Sequence, residues 1–135
     1  MTETTKTGVS MSIASYIADD IEALATFYAE VFELAEVMEL RSDIFRGLDV
    51  DGVTLGFSAT VVYEMLSIDK WAEASGTRQY LTFEVATDEE VSTRTATAVA
   101  LGATLQHEPY ETYYGAFQSV LADPEGNVFR INHFR

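Results

Sequence analysis

The chain has 135 residues, the size of one ordinary domain, and can bury roughly two thirds of its unfolded surface without covalent staples. It contains no cysteine, which excludes a disulfide framework, a thiolate metal site and a cysteine nucleophile. The 8 Lys and Arg against 22 Asp and Glu give a net charge of −14, which argues against nucleic acid or an anionic membrane as partner, and 47% hydrophobic residues exclude an acidic disordered chain.

Taken in order, Met1 to Ser10 is polar, lacks the apolar stretch of a secretory signal, and reads as a flexible tail over residues 1–10. No window holds the roughly 20 apolar residues that cross a bilayer, so a cytoplasmic protein is expected. Ser12 to Ala18 alternates as a strand. Asp19-Asp20-Ile21-Glu22 then offers an Asp N-cap with Glu three positions on, and Leu24, Phe27 or Tyr28, Val31 and Phe32 recur at helical spacing. Strands are expected over Glu36 to Leu40, Ile44 to Val50 and Val53 to Ala59, with Asp51-Gly52 as a tight hairpin turn. Thr60 to Thr77 carries Val61, Val62, Tyr63, Met65, Leu66, Ile68 and Trp71, too many apolar residues for a solvated linker, and is expected to pack as a lid or short helix. The pattern then repeats. A strand over Arg78 to Ala86 leads to a helix capped by Thr87, with Glu90 three residues on and Gly102 beyond its end. Thr104 to Glu108, Gly115 to Ala122 and Asn127 to Phe134 follow as strands, the last two joined by the turn Asp123-Pro124-Glu125-Gly126.

The repeat is one of pattern rather than identity. Leu24, Val31 and Leu34 find counterparts 67 residues later at Val91, Ala98 and Leu101, and Gly52 finds one 74 residues later at Gly126. An α+β domain of two βαβββ modules follows, with a tail over 1–10, a first module over 11–59, a connector over 60–77 and a second module over 78–135.

Asp20-Ile21-Glu22, Phe27-Tyr28, Val31-Phe32, Phe83-Glu84-Val85 and the closing Asp123-Pro124-Glu125-Gly126-Asn127-Val128 together resemble the vicinal oxygen chelate superfamily, which holds the glyoxalases, bleomycin-resistance proteins and extradiol dioxygenases. The resemblance runs from about Ser12 to Phe134. It implies an open curved mixed sheet with helices outside and a ligand cleft inside, and a homodimer whose cleft is often shared between chains. It does not fix the chemistry, because this fold hosts many activities.

In metal-using relatives the ligands are inward His, Glu or Gln side chains on the first and last strands of each module. Counting alternate residues places those positions at Ile13, Gly56, Tyr80 and Arg130. Ile13 and Gly56 offer no donor, a neutral tyrosine is a poor ligand, and an arginine repels a cation. A register slip of one residue brings in only Gln79 as a ligand. The resemblance is therefore to a metal-free branch, with no cofactor expected.

The remaining chemistry is sparse. Glu84 falls on the inward face and reads either as a base or cation holder in an apolar cleft or as an ion pair with Arg130. His107 is a candidate base or an exposed turn residue, and His133 reads as an edge-strand residue. No Gly-x-Ser-x-Gly elbow or phosphate loop is present. Aromatics off the helical stripes (Phe45, Trp71, Tyr80 and Tyr114) suit stacking around a flat or cationic ligand, with Glu84 and Arg130 as polar anchors. These six residues are the expected ligand-binding set of a metal-independent small-molecule binding protein, akin to antibiotic-sequestering relatives. The alternative is a glyoxalase- or dioxygenase-like lyase or isomerase with displaced ligands, in which Glu84, His107 or Gln79 carries a metal or a proton.

Overall fold

The structure, a computed structural model, describes residues 8–135; most of the expected tail lies outside them. The first module comprises β1 (Ile13–Ala18), α1 (Ile21–Phe32), β2 (Phe45–Val50) and β3 (Val53–Ala59). The connector holds a single helical turn, α2 (Val62–Met65), and a 3-10 turn over Asp69–Trp71. The second module comprises β4 (Leu81–Glu84), α3 (Asp88–Ala100), β5 (Thr104–Glu111), β6 (Ala116–Ala122) and β7 (Val128–Phe134).

Each module forms a mixed sheet in which the opening strand runs parallel to the closing one. The orders are β1-β3-β2 and β4-β7-β6-β5. The repeat offsets of 67 and 74 residues reappear in the register: Ser15 pairs with Gly56 in the first sheet, and Thr82 with Arg130 in the second. The two modules are thus equivalent position by position along these paired strands.

One expected strand is absent. Glu36 makes a single bridge to Leu48, supported by Val37 N–H to Gly47 O at 2.8 Å and Asp49 N–H to Ala35 O at 2.9 Å, and the chain then coils into a 3-10 turn over Met38–Leu40. The charged fork of Arg41 closes that turn on Glu36, with both nitrogen–oxygen distances 2.8 Å, and holds the Glu36 carboxyl below its ordinary range. Leaving the edge early lets Leu40 fold over the sheet toward Gly47. The second module keeps its counterpart, β5, as an edge strand whose register shifts between Leu105 and Tyr110; Pro109 falls in this irregular stretch, where a missing N–H does least harm.

Both helices pack on the same side of the sheets, and one core serves both modules. Tyr28 of α1 is its centre, ringed by Tyr16 and Phe57 of the first module and by Phe83 and Phe129 of the second, with centroids 5.4–5.8 Å away. Burying side chains of this size contributes about 1.5–3 kcal/mol each. The Tyr28 hydroxyl donates to Asp123 Oδ2 at 2.7 Å. Asp123 also accepts from Glu125 N–H, Asn127 N–H and Asn127 Nδ2, so the Asp-Pro-Glu-Gly-Asn turn is organised around one buried carboxylate tied to the other module's helix.

Capping follows the sequence with one change of partner. Thr87 caps α3 by accepting from Glu90 N–H, and Glu90 reaches back to Ala86 N–H. The cap of α1 is Asp20, accepting from Ala23 N–H, and the reciprocal carboxylate is Glu125 of the second module rather than Glu22. Glu125 accepts from Asp19 N–H at 2.7 Å and from Asp20 N–H at 3.0 Å. Gly102 ends α3 with φ +109, a conformation that favours glycine.

Candidate functional site

The face of each sheet turned away from the helices carries the candidate site. On β1, Tyr16 and Ala18 are buried in the core while Ile13 and Ser15 are exposed on the opposite face, as alternation requires. In the first module that face is closed by its own side chain. The Phe45 ring lies across two glycines of neighbouring strands: a methyl group at Gly56 would sit 2.7 Å from Phe45 Cζ and 2.7 Å from Ser15 Oγ, and one at Gly47 would sit 3.2 Å from the ring and 2.8 Å from Thr54 Cγ2. The glycines are there because the ring needs their space.

The second module is open and polar. Arg130 rises from the middle of β7, donating from Nε to Thr82 Oγ1 at 2.9 Å and from Nη1 to Tyr114 OH at 3.2 Å and Gln118 Oε1 at 3.3 Å. Its guanidinium carbon lies 5.0 Å from the Tyr80 ring centroid. Gln118 organises this basin: its oxygen also accepts from Tyr114 OH at 2.9 Å, and its Nε2 donates to Tyr110 OH at 2.8 Å. Gln118 is 3% exposed and forms part of the floor; the phenols stand around it.

Of the six expected ligand-binding residues, the fold brings Tyr80, Tyr114 and Arg130 together. Glu84 lies two residues along β4 from Thr82 but faces other partners, with Asn132 Nδ2 at 2.8 Å and Phe134 N–H at 2.6 Å bonding its two oxygens. The expected ion pair between Glu84 and Arg130 is therefore not formed: the β7 ladder sets Glu84 opposite Asn132 and gives Arg130 to Thr82. Asn132 is 1% exposed, and its Oδ1 is buried without a partner among the described residues. Phe45 belongs to the first module, and Trp71, 59% exposed on the connector, sits beside Lys70 with no hydrogen bond or ring contact to the Arg130 group among the described residues.

Tyr110 and Gln118 were not legible as site residues. Tyr110 follows the β5 irregularity, which defeats alternation counting, and a glutamine on a strand carries no sequence signal of its own. His107 stacks near Tyr110, ring centroids 4.0 Å apart, with its Nδ1 2.7 Å from Glu108 O. His133 lies 3.0 Å from Val85 O.

The four positions where the family resemblance implies metal ligands do not suit a divalent cation. Gly56 lies under the Phe45 ring, Ile13 has no donor atom, and Tyr80 and Arg130 face each other as ring and cation. Among the described residues no three of His, Asp and Glu converge at metal-binding spacing. A cleft of about 600 Å³ lies elsewhere, on the seam between modules, with Phe32, Leu34, Val53 and Phe83 in its wall; it touches the basin through Thr82 and Glu84.

A model of the glyoxalase-like domain matches residues 12–132. The chain belongs to the glyoxalase-like domain family. Its fold is that of a glyoxalase/bleomycin resistance protein/dioxygenase family enzyme from Burkholderia phytofirmans, 43% identical, with a TM-score of 0.92 over 94% of this chain and 100% of that one. A glyoxalase-related enzyme from Fulvimarina pelagi superposes with a TM-score of 0.77 at 23% identity, covering 92% of this chain and 87% of that one. Among curated proteins none matches significantly. This glyoxalase-like domain is thus a member of the vicinal oxygen chelate superfamily, and among its described residues no helix is long and apolar enough to cross a membrane.

Proposed function

We propose that this glyoxalase-like domain is a metal-independent small-molecule binding protein, which holds a ligand with an aromatic part over the sheet of its second module. The observation that carries the reading is Arg130. It stands at a position where metal-using relatives place a ligand, and it is fixed there by Thr82, Tyr114 and Gln118. A fixed guanidinium opposes a metal cation and provides a directional binding group, and Tyr80 and Tyr114 beside it offer ring faces. Sequestration needs affinity and shape but no nucleophile or base, and the fixed polar groups and ring faces of the basin support that reading.

The reading includes a homodimer. Met11, Ile13, Met38, Leu40, Tyr80 and Phe134 are exposed large apolar side chains, and a second chain laid over the open face of the sheets would cover many of them and wall in the basin.

The test is the metal content of tag-free protein after incubation with zinc, nickel, manganese and iron(II), read beside sedimentation. The expected result is far less than one ion per chain and a dimer. One full equivalent of a single metal would transfer the lead to the enzyme reading, which the 43% identical relative from Burkholderia phytofirmans, described as a family enzyme, keeps in view. In that reading Glu84, His107 or Gln79 would carry the metal or a proton.

A further inference from the structure

We infer that the basin around Arg130 is a receptor for an oxyanion, most simply the carboxylate of an aromatic acid. The inference rests on the small-molecule-binding reading and adds the ligand's charge to it.

The argument is an inventory of hydrogen-bond donors. Arg130 has five N–H groups. Nε is used on Thr82, and Nη1 on Tyr114 and Gln118, which leaves the two protons of Nη2 with no acceptor among the described residues. Thr82 Oγ1 and Tyr110 OH each accept a hydrogen bond, from Arg130 and from Gln118 respectively, and each keeps its own proton to give. Both Gln118 amide atoms are engaged, and the Tyr114 proton is given to Gln118. The basin therefore offers N–H and O–H donors around a cation. A carboxylate oxygen answers that arrangement, whereas an ammonium ion would lie against the guanidinium's own charge and meet only the second lone pairs of hydroxyls already engaged; the unpartnered Asn132 Oδ1 across from Gln118 is buried.

The charge context sharpens this. In a chain of 22 acidic and 8 basic residues, Arg41, Arg94 and Arg135 each pair with carboxylates, while Arg46 is tied to the backbone carbonyls of Ser42 and Phe45. Arg130 is held only by neutral oxygens and a ring. A guanidinium with no carboxylate beside it, set among hydroxyls on the open face, is available for a strong charge-assisted bond to an anion. The nearest strand carboxylate, Glu84, is occupied by Asn132 and Phe134. Repulsion from the remaining acidic surface is screened beyond roughly 8–10 Å at physiological salt, so the local donors decide. The cationic ligand that the aromatic residues would suit is thus disfavoured by the groups that would touch it.

Benzoate, benzamide and benzylammonium share a ring and differ in head group, and they serve as probes in nuclear magnetic resonance titrations of the full chain. Benzoate is expected to move the Arg130 Nε–H signal and the backbone amides of Thr82 and Tyr114, and to bind at least about tenfold more tightly than benzamide. Arg130→Gln should erase that preference, and Arg130→Lys, which keeps the charge without the fork, should retain part of it; if Arg130→Gln does not fold, Arg130→Lys carries the comparison with wild type. Benzamide or benzylammonium binding the basin as tightly as benzoate would overturn the oxyanion and leave the small-molecule reading standing. No response of the basin to any of the three would overturn both.

Discussion

Gly56 and Arg130 hold equivalent places in the two modules, each on the closing strand opposite the inward hydroxyl of the opening strand, Ser15 in one and Thr82 in the other. One position is bare backbone under the Phe45 ring, and the other carries a guanidinium fixed by neutral groups. A duplicated fold in which one half is plugged and the other is open presents one open polar face per chain rather than two.

The plug can be tested through its fit. Gly56→Ala puts a methyl group 2.7 Å from both Phe45 Cζ and Ser15 Oγ, and overpacking of this kind costs about 1–3 kcal/mol. Phe45→Ala in the same chain should absorb the clash, so the double variant is expected to be less destabilised than the two single effects added. Urea denaturation of all four proteins measures the coupling; strict additivity would show that the ring does not depend on Gly56.

Tyr28 and Asp123 join the modules through a buried hydrogen bond of 2.7 Å. Tyr28→Phe keeps the ring and its packing but removes one donor from a carboxylate that is 3% exposed. Leaving a buried acceptor short of a partner costs about 1–3 kcal/mol, and more when it is charged. The expected result is a lower denaturation midpoint with an unchanged slope, because the folded state stays equally compact.

Legibility in the sequence divided along physical lines. Periodicity and capping residues report local structure, and they located both helices and most strands. The edge segment after α1 failed because Glu36 to Leu40 alternates like a strand, while its fate was decided by the Arg41 fork and by Leu40 packing toward Gly47. Counting by twos placed Arg130 and Tyr80 on the open face because β4 and β7 are regular. It missed Tyr110 because β5 shifts register, and it gave Glu84 a choice of partners that only cross-strand pairing resolves. Trp71 entered the expected set as an aromatic of a connector expected to pack as a lid, and nothing in a connector's sequence fixes the surface it packs on.

Alkaline pH should loosen the core. Burial pushes the Tyr16 hydroxyl up to about 12, with the neighbouring Asp123 carboxylate adding to it, and burial raises Tyr28 further still. In the unfolded chain both ionise near 10. Above that value the unfolded state sheds its protons while the folded state keeps them, so stability is full below about pH 10 and is lost as the pH rises through 12. Tyrosinate absorbance followed together with circular dichroism should show this pair ionising only as the fold is lost. Tyr16→Phe should flatten the alkaline slope; an unchanged slope would remove Tyr16 from the account.

Glu125 does the work that a helix usually asks of its own first turn. Its carboxylate spans Asp19 N–H and Asp20 N–H at 2.7 and 3.0 Å, at the positive end of α1, although it belongs to the other module. Capping groups of this kind contribute about 0.5–2 kcal/mol. Glu125→Ala is therefore expected to lower stability within that range and to speed hydrogen exchange at Asp19 and Asp20, and Glu125→Gln, which retains one acceptor oxygen, should fall between. Because the carboxylate comes from the turn built on Asp123, its loss combined with Tyr28→Phe should be non-additive if the two contacts hold one joint between modules. Additive losses would mean that cap and core bond act separately, with the shared core holding the modules together.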